Sequence, residues 1–587
     1  MISVYGLFRV PLNTFPQFTV YSSADLSIGT WMDSDNGIIN EGTWVFPKWE
    51  LQTPSNVTRI GRAMLAEDAE DHPQIVYYQA GVGCGSNWLD KVMGGGTGAG
   101  LSENVREAYS FLANNYTAGD SIYLIGFSRG AFTARSIAGL IGGMGLLTKD
   151  GLQYFYRVFE DWQHAGQDDY EPSIKIDLPE FEIDVDADDV DIYLDKYKRE
   201  LMHLRMGLTR DVKIKAIGVW DTVGALGIPT TAWLQSLGVP AFLHPLHPYR
   251  FMDTSLGNHI ENAFQALALD ERRTAYSPAI WNRQPGSTTN LKQVWFPGVH
   301  SNVGGSYEDT GLSDITLAWM MDQLESTGIE FDETYLGKAW AHNQTFYNEQ
   351  NAEALAAHHR AHTLPILPSS HHPHNGNGNG NSNGNGNSNG NRLSRRPTPH
   401  PTLNPRATPA TRRRHTTKHR SDNLDPTGPH WALTRLYNSA ASLTCLAGVA
   451  PRTPGLYSAT DYVTGKQVNS KPMLDTRETV HCSVRVRLTS DKGHSYDGKG
   501  KYGAVALVKN GYVLEGPDAP FRDEVEINGV QRRESGWRWV LYKGKGRGSE
   551  LEVKRVLPEA TMGRFERTLL GCDKEMYVQV LSGDQPV

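Results

Sequence analysis

Ser128 stands at the centre of the pentapeptide Gly126-Phe127-Ser128-Arg129-Gly130, which has the pattern G-x-S-x-G. In hydrolases this pattern forms a sharp strand-to-helix turn, where small flanking residues avoid steric clash. The pentapeptide alone is weak evidence, because a chain with 59 glycines can contain one by chance. Its context is stronger, since an apolar strand-like run precedes it at 120–125 and a helix-like run follows at 131–140. The pattern predicts a nucleophilic serine at a helix N-terminus, where the N–H of Arg129 and the helix dipole would stabilise developing negative charge.

A serine hydroxyl is a poor nucleophile unless a neutral histidine removes its proton and a carboxylate orients that histidine. Where the nucleophile lies on such a turn, the acid and then the base follow it along the chain. Asp221 comes just after the apolar run 213–220, and His300 lies in a glycine-flanked loop after the run 291–296. Because the loops beyond the carboxyl ends of parallel strands form active sites, we expect these three side chains to converge at one edge of a sheet.

Other roles for the two partners stay open at this stage. A turn or helix N-cap position is the alternative for Asp221, and a structural histidine is the alternative for His300. Asp253, Asp270 and Asp314 compete for the role of the acid. Asp314 suits the first turn of a helix over 312–324 that Ser313 would cap. Asp270 suits a helix in which it pairs with Arg272 or Arg273.

The composition indicates a globular protein and excludes several other classes. The chain has 587 residues and a net charge of −8, so a basic surface for nucleic acid is not expected. Its four cysteines show no C-x-x-C spacing, which argues against a disulfide scaffold or a structural zinc site. We expect no metal and no organic cofactor. The absence of an apolar run of about 18 residues predicts no transmembrane helix and at most peripheral membrane contact. The N-terminus lacks the basic start of a signal peptide, so we expect a cytoplasmic protein, and the oligomeric state is left open.

The arrangement of apolar runs predicts an α/β fold. Strand-like runs at 74–79, 120–125, 213–220 and 291–296 alternate with helix-like runs at 104–114, 131–140 and 312–324. Such alternation is typical of a mostly parallel sheet that helices cover on both faces.

Composition shifts predict the domain organisation. We expect an irregular segment at 1–35, a catalytic domain at 36–356 with an acidic insertion at about 150–200, and a disordered linker at 357–425 that is rich first in Asn and Gly and then in Pro and Arg. A helical return to the catalytic domain follows at 426–460. A small β-rich module at 461–587 would contain strands at 482–488, 502–508 and 537–542. The basic cluster Arg412–Arg414, with Lys418 and Arg420, suits a solubilising linker, and a nuclear-localisation or anion-binding patch is the alternative.

Four segments together resemble a known family. GDSIYLIGFSRGAFTARSIAGLI, IGVWDTVGALG, ALALDERR and VWFPGVHSNVGGSYEDTGLSDITLAWM are similar to the uncharacterised α/β-hydrolase family that includes the type VI secretion phospholipase effectors and is common in fungi. The resemblance covers about 36–345 and a return near 430–457 that contains the NSAASL and RTPGLY segments. It implies an α/β-hydrolase-like fold and a serine hydrolase, with some relatives acting on phospholipids.

The resemblance also implies roles for individual residues. Ser128 would be the nucleophile, Asp221 the acid and His300 the base, and Gly42 or Thr43 would supply the second oxyanion donor beside Arg129. Two positions depart from the family pattern, because Glu41 stands where members carry Asp before Gly-Thr, and Asn302 stands where they carry Asp after His-Ser.

Three functions follow as competing hypotheses. The first is a hydrolase that cleaves a carboxylic ester, with a small molecule or a lipid such as a phospholipid as its substrate. The altered Glu41 loop motivates the second, a catalytically impaired scaffold that binds partner proteins. The third is a nuclear factor that acts through the basic linker, although the acidic remainder of the chain limits the linker to a tethering role.

Overall fold

The computed structural model describes residues 3–9, 53–80, 99–165, 170–173, 190–203, 207–223, 255–362, 430–439, 448–458, 472–498, 500–516, 526–527, 530–531, 536–543 and 552–581. One compact unit comprises Met1–Tyr347 together with Gly428–Val587. A second unit comprises Asn348–Thr427, of which the described part, 348–362, is the end of a helix. Residues 357–362, predicted as the start of a disordered linker, are helical, and the rest of the predicted linker with its basic cluster lies outside the described residues.

Within these ranges ten strands form one sheet. The strands are β1 (Ser3–Arg9), β2 (Gln74–Ala80), β3 (Ile122–Phe127), β4 (Ile214–Trp220), β5 (Asn262–Ala268), β6 (Asn290–Phe296), β7 (Glu478–His481), β8 (Tyr512–Glu515), β9 (Arg538–Lys543) and β10 (Glu552–Ala560). Their spatial order is β8-β9-β10-β7-β6-β5-β4-β3-β1-β2. The six neighbours from β10 to β3 pair in parallel, whereas the pairs at both edges are antiparallel. Short two-residue strands pair Leu146–Leu147 with Thr209–Arg210, Ser255–Leu256 with Asn282–Arg283, and Glu526–Ile527 with Val530–Gln531.

The helices in the described ranges are α1 (Asn56–Ala63), α2 (Ala99–Asn115), α3 (Arg129–Met144), α4 (Phe155–His164), α5 (Val190–His203), α6 (His300–Gly304), α7 (Gly311–Glu325), α8 (Tyr335–His362), α9 (Cys482–Thr489), α10 (Val505–Val508), α11 (Arg564–Gly571) and α12 (Lys574–Leu581). Single 3-10 turns occur at Gly151–Tyr154, Thr274–Tyr276 and Tyr496–Gly498. None of these helices is both long and apolar enough to span a membrane.

Both faces of the central sheet are buried, which explains why its strands read as continuous apolar runs. All six residues of β3 are buried. Its side chains alternate between two cores: Ile122 and Leu124 pack with helices α2 to α5, whereas Tyr123 and Ile125 pack with α1, α7 and α11. The predicted α/β fold with a mostly parallel sheet and flanking helices is confirmed.

The segment predicted as a C-terminal module contributes β7 to β10 to this same sheet. A third core joins it to the central strands, with Leu267 and Trp295 packing alongside Val480, Trp539 and Leu557. The sheet therefore continues from the strands between Ser3 and Phe296 into strands between Glu478 and Ala560.

Several local predictions differ from the structure. The segment 482–488 is helix α9 and not a strand, because His481 caps a helix there by accepting the Ser483 N–H at 3.2 Å. The segment 502–508 is likewise not a strand and ends in α10. Strand β1 lies in the segment expected to be irregular, where it pairs with both β2 and β3. Thr310 occupies the N-cap position of helix α7 without a side-chain capping bond, and the predicted cap Ser313 lies inside the helix and donates to the Thr310 carbonyl. The described parts of the predicted helical return, 430–439 and 448–458, are turns and irregular backbone.

Candidate active site

Ser128 occupies the turn between β3 and α3. Its backbone has φ 59° and ψ −120°, a strained conformation for a residue with a side chain. The turn is tight, because a Cβ on Gly126 would lie 2.4 Å from the Gly130 carbonyl oxygen. The Ser128 N–H donates to the carbonyl of Trp220, the last residue of β4, at 3.1 Å. These contacts fix the half-buried serine at the carboxyl edge of the sheet.

His300 is the first residue of α6, just beyond β6. The loop before it turns at Gly298, which has φ 115° and where a Cβ would lie 2.5 Å from the Cβ of Asn302. Asn302 accepts the Val299 N–H at 3.2 Å and donates to the Arg435 carbonyl at 3.2 Å, a donation that an aspartate at this position could not make. Asn302, which differs from the residue expected in the family, therefore stabilises the loop before His300.

His300 lies within hydrogen-bond distance of both Ser128 and Asp221, one through each ring nitrogen. Nε2 of His300 is 2.8 Å from Oγ of Ser128, and Nδ1 of His300 is 2.6 Å from Oδ2 of Asp221. The imidazole is 5% exposed and packs against the rings of Phe127 and Tyr276, with centroids 4.6 and 4.9 Å away. A proton can pass from the hydroxyl to the imidazole in this arrangement, with the carboxylate fixing which ring nitrogen holds hydrogen.

Asp221 is fully buried immediately after β4, with its backbone at φ 40°. Both of its oxygens bind the guanidinium of Arg452, which is also buried. Burial alone would raise the pKa of Asp221, but the charge of Arg452 and the hydrogen bond from His300 hold that pKa well below its ordinary value. Sequence reasoning missed Arg452, since a lone arginine in the RTPGLY segment carries no motif of its own.

Two further carboxylates support the loops around His300, and their arrangement corrects the sequence prediction. Asp270 lies in a turn rather than a helix, and it accepts the Gly298 N–H at 2.7 Å. Burial raises the pKa of Asp270 to about 6. Glu271, and not Asp270, pairs with Arg273, and it also accepts the His300 N–H at 3.3 Å. Burial opposes ionisation of Glu271, yet the bonds and charge of Arg273 lower its pKa to about 2.

The remaining predicted residues are placed as follows. Asp314 lies in the first turn of α7 as predicted and forms a buried ion pair with Arg59 rather than a bond with His300. Asp253, Gly42 and Thr43 lie outside the described residues, so the second oxyanion donor stays a prediction. Arg129 is the first residue of α3, where backbone N–H groups point out of the helix N-terminus beside Ser128.

One group of possible metal ligands occurs among the described residues, and it is separate from these side chains. Ligand atoms of Asp68, Glu70 and His72 all lie within 4.8 Å of one another. Asp68 accepts the backbone N–H groups of Glu70 and His72 at 2.9 Å each and bonds the His72 ring, so a tight turn accounts for the cluster.

The sequence matches the family described as "T6SS, Phospholipase effector Tle1-like, catalytic domain" over residues 29–323, half of the chain. The chain belongs to this Tle1-like family. The matched part of the Tle1-like chain includes Ser128, Asp221 and His300, whereas Arg452 lies beyond it.

Two relatives of this Tle1-like chain match it in part. The "Uncharacterized protein YEL023C" of Saccharomyces cerevisiae is 25% identical over 237 residues, which is 38% of this chain and 29% of the relative. The solved "Structure of the Tle1 effector bound to the VgrG spike from the Type 6 secretion system" is 19% identical, with 44% of this chain and 41% of that chain covered and a TM-score of 0.19. The chain thus spans less than half the length of either relative. At this TM-score the likeness carries no argument about fold or activity.

Proposed function

We propose that this protein is a serine hydrolase with an α/β-hydrolase-like catalytic domain that cleaves carboxylic esters of lipids. The observation that carries the proposal is the continuous chain of polar atoms from Ser128 Oγ through His300 to Asp221, with separations of 2.8 and 2.6 Å. The strained turn at Ser128 adds support, because backbone strain persists where surrounding structure enforces it and clusters at active sites.

In the proposed reaction Ser128 Oγ attacks the ester carbonyl carbon while Nε2 of His300 takes the hydroxyl proton. Asp221 keeps hydrogen on Nδ1 and stabilises the imidazolium that forms. The imidazolium then protonates the leaving alcohol as the ester C–O bond breaks, which leaves an acyl group on the serine. Water, deprotonated by the same imidazole, attacks that acyl group and releases the carboxylic acid. No step requires a metal or an organic cofactor.

Negative charge develops on the substrate oxygen in both steps. The N–H of Arg129, at the start of α3, is the proposed first donor to this oxygen, and Gly42 or Thr43 is the proposed second donor. Losing one such donor typically slows acyl transfer by about 100–1,000-fold. The half-buried Tyr276 borders His300, with the Arg273 guanidinium over its ring.

The family supports a lipid ester as the substrate, because its description names a phospholipase effector. Within this proposal the product is a fatty acid and the leaving group is the alcohol of the lipid backbone. The enzyme would meet its substrate by peripheral contact with a lipid surface.

The test compares the wild type with Ser128→Ala and with Ser136→Ala, a matched control. Ser136 is a buried serine of the same helix whose hydroxyl donates to the Phe132 carbonyl. Turnover is measured on p-nitrophenyl esters of short, medium and long acyl chains and on phospholipid vesicles by fatty acid release. We expect Ser128→Ala to lower kcat by at least about 10,000-fold and Ser136→Ala to retain it.

Equal turnover by wild type and Ser128→Ala would overturn the proposal. Hydrolysis of the p-nitrophenyl esters without release of fatty acid from the phospholipid vesicles would support a serine hydrolase but refute the phospholipid substrate. A fluorophosphonate probe tests the impaired-scaffold alternative, because a folded wild type that shows neither labelling at Ser128 nor turnover would favour that alternative.

A further inference from the structure

We infer that Arg452 is a positioning residue of this active site: its guanidinium holds the Asp221 carboxylate against Nδ1 of His300 and offsets the negative charge that this carboxylate presents to the imidazole. The catalytic consequence rests on the proposed function, whereas the electrostatic effect on His300 does not. Arg452 lies more than a hundred residues beyond the part of the chain that matches the family.

The hydrogen bonds of Asp221 leave little room for another arrangement. Oδ1 accepts from Arg452 Nη1 and from the Ala268 N–H, the latter at 3.0 Å. Oδ2 accepts from Arg452 Nη2 at 3.0 Å and from His300 Nδ1 at 2.6 Å. Each oxygen thus accepts two hydrogen bonds, which fills the capacity of a carboxylate. All four partners are donors, so the site is built for the ionised form of this acid.

The guanidinium is itself held on its far side. Nη1 donates to the Ala268 carbonyl at 2.7 Å, and Nη2 donates to the Tyr276 carbonyl at 2.8 Å. These carbonyls belong to the last residue of β5 and to the loop that places Tyr276 against His300. Arg452 therefore ties together the acid and the loop that flanks the base.

The backbone around Arg452 is held by side chains from the C-terminal part of the chain, between Glu478 and Tyr512. The Arg452 carbonyl accepts from Asn510 Nδ2 at 3.0 Å, and the Pro454 carbonyl accepts from the Tyr512 hydroxyl at 2.9 Å. The Gly455 N–H donates to Glu478 at 2.7 Å. These contacts tie strands β7 and β8 to the backbone that carries Arg452.

The charge of Arg452 reaches His300 through Asp221. The two bonds at Oδ2 limit the separation between Arg452 Nη2 and His300 Nδ1 to about 5.6 Å. At that range, with an effective dielectric constant of about 20, a unit charge changes the proton affinity of a neighbouring group by about two pH units. Without Arg452 the uncompensated carboxylate would make the Asp221–His300 pair bind a proton more tightly. The base would then remain protonated to a higher pH.

Other ionisable groups face this pair from the surrounding elements. Some of these groups interact directly with His300, Asp221 or Arg452, and the others interact with the residues beside them. They are Asp270, Glu271, Arg273, Tyr276, Tyr307 and Tyr457. Glu271 is neutralised by Arg273. Asp270 is the one among them with a pKa of about 6, so a second substitution must separate its titration from that of the pair.

The experiment measures the pH dependence of kcat/KM for the wild type, Arg452→Met and Arg452→Lys. Arg452→Met removes the charge and keeps much of the volume, and we expect the acidic limb of its profile to move up by about one to two pH units, with activity recovering at high pH to within about tenfold of wild type. Arg452→Lys keeps the charge, so its acidic limb should stay within about half a pH unit of wild type although its kcat falls. The same comparison in an Asp270→Asn background should give the same displacement.

Arg59→Met is the matched control, because Arg59 also forms a buried ion pair with an aspartate, Asp314, but contacts none of the three triad residues. It should destabilise the protein without moving the profile. If Arg452→Met does not fold, Arg452→Gln takes its place under the same criterion. Lower activity with an unmoved acidic limb in the uncharged variant, or an equal displacement in Arg452→Lys, would overturn the inference.

A second readout separates this inference from the proposed function. The imidazole of His300 is titrated by NMR in the wild type, Arg452→Met and Arg452→Lys. This measurement does not require enzyme turnover. A wild type without esterase activity would refute the proposed function, and the NMR titration would still decide the role of Arg452. An unchanged His300 titration in Arg452→Met would refute that role even in an active enzyme.

Discussion

Asp221→Asn is the most informative single substitution, because every group around this carboxylate is a hydrogen-bond donor. Asparagine keeps one acceptor oxygen and replaces the other with an NH2 group, which must face at least one of those donors. If the NH2 faces His300, the ring keeps its hydrogen on Nε2, towards Ser128, and cannot take the serine proton. The wrong tautomer lowers kcat by about 10,000-fold in comparable triads, or about 5.5 kcal/mol in the barrier, and we expect that loss here with KM little changed.

The same substitution leaves the buried Arg452 without its counter-ion. Breaking a buried ion pair by removing one partner costs about 3–5 kcal/mol of stability, so Asp221→Asn should also unfold at a lower temperature. Asp314→Asn is the matched control, since it removes the partner of the buried Arg59. It should lower the unfolding temperature similarly while it retains kcat within about threefold.

The assay determines kcat and KM with a p-nitrophenyl ester on protein whose folding is checked by circular dichroism and thermal unfolding. The reasoning predicts a large loss of kcat in Asp221→Asn alone. It would be refuted if a folded Asp221→Asn kept kcat within about tenfold of wild type. Equal losses in the two variants would instead attribute the effect to stability.

Three further predictions concern the turn, the pH dependence of stability and the linker. Gly126→Ala should abolish activity and lower soluble yield, because its Cβ would lie 2.4 Å from the Gly130 oxygen, and retained activity in cell extracts would contradict this. Burial raises the pKa of Asp322 to about 7; the folded state then binds this proton more tightly than the unfolded state, so the stabilisation is absent near pH 8 and grows as the pH falls through about 7. The difference in unfolding temperature between about pH 5.5 and about pH 8 should therefore be smaller in Asp322→Asn than in wild type. An equal difference would contradict this role of Asp322. Deleting residues 392–420 should leave kcat and cellular location unchanged, since the described residues around Ser128 all lie outside that segment, and loss of either would revive the nuclear-factor hypothesis.

The parts of the fold that sequence reasoning found share a local cause. Buried parallel strands such as β3 and β4 are continuous apolar runs, and the G-x-S-x-G turn reports a steric requirement within five residues. The chain order of Ser128, Asp221 and His300 and the strand that precedes each one were enough to predict their convergence. Their separations follow from the parallel order β3-β4-β5-β6, which only the structure gives.

The parts that sequence reasoning missed depend on distant partners. Strand β1 has no clear apolar pattern and forms because β2 and β3 pair with it on both sides. Helix α9 alternates like a strand, but its cap at His481 and its position after β7 make it helical. The turn after β5 buries both carboxylates, but it directs Asp270 to the Gly298 N–H and Glu271 to Arg273. Local propensity cannot decide such cases, because tertiary contacts outweigh it.

By itself, the sequence identified Ser128, His300 and Asp221 as the candidate nucleophile, base and acid, since ester cleavage by a serine needs those residue types and the turn around Ser128 needs its glycines. Only the tertiary structure decided what surrounds them. It brought Arg452 from beyond the linker onto Asp221 and joined the C-terminal strands to the central sheet. The physical reason is that a buried carboxylate must find its counter-charge in space, and chain folding can supply that charge from any distance along the sequence.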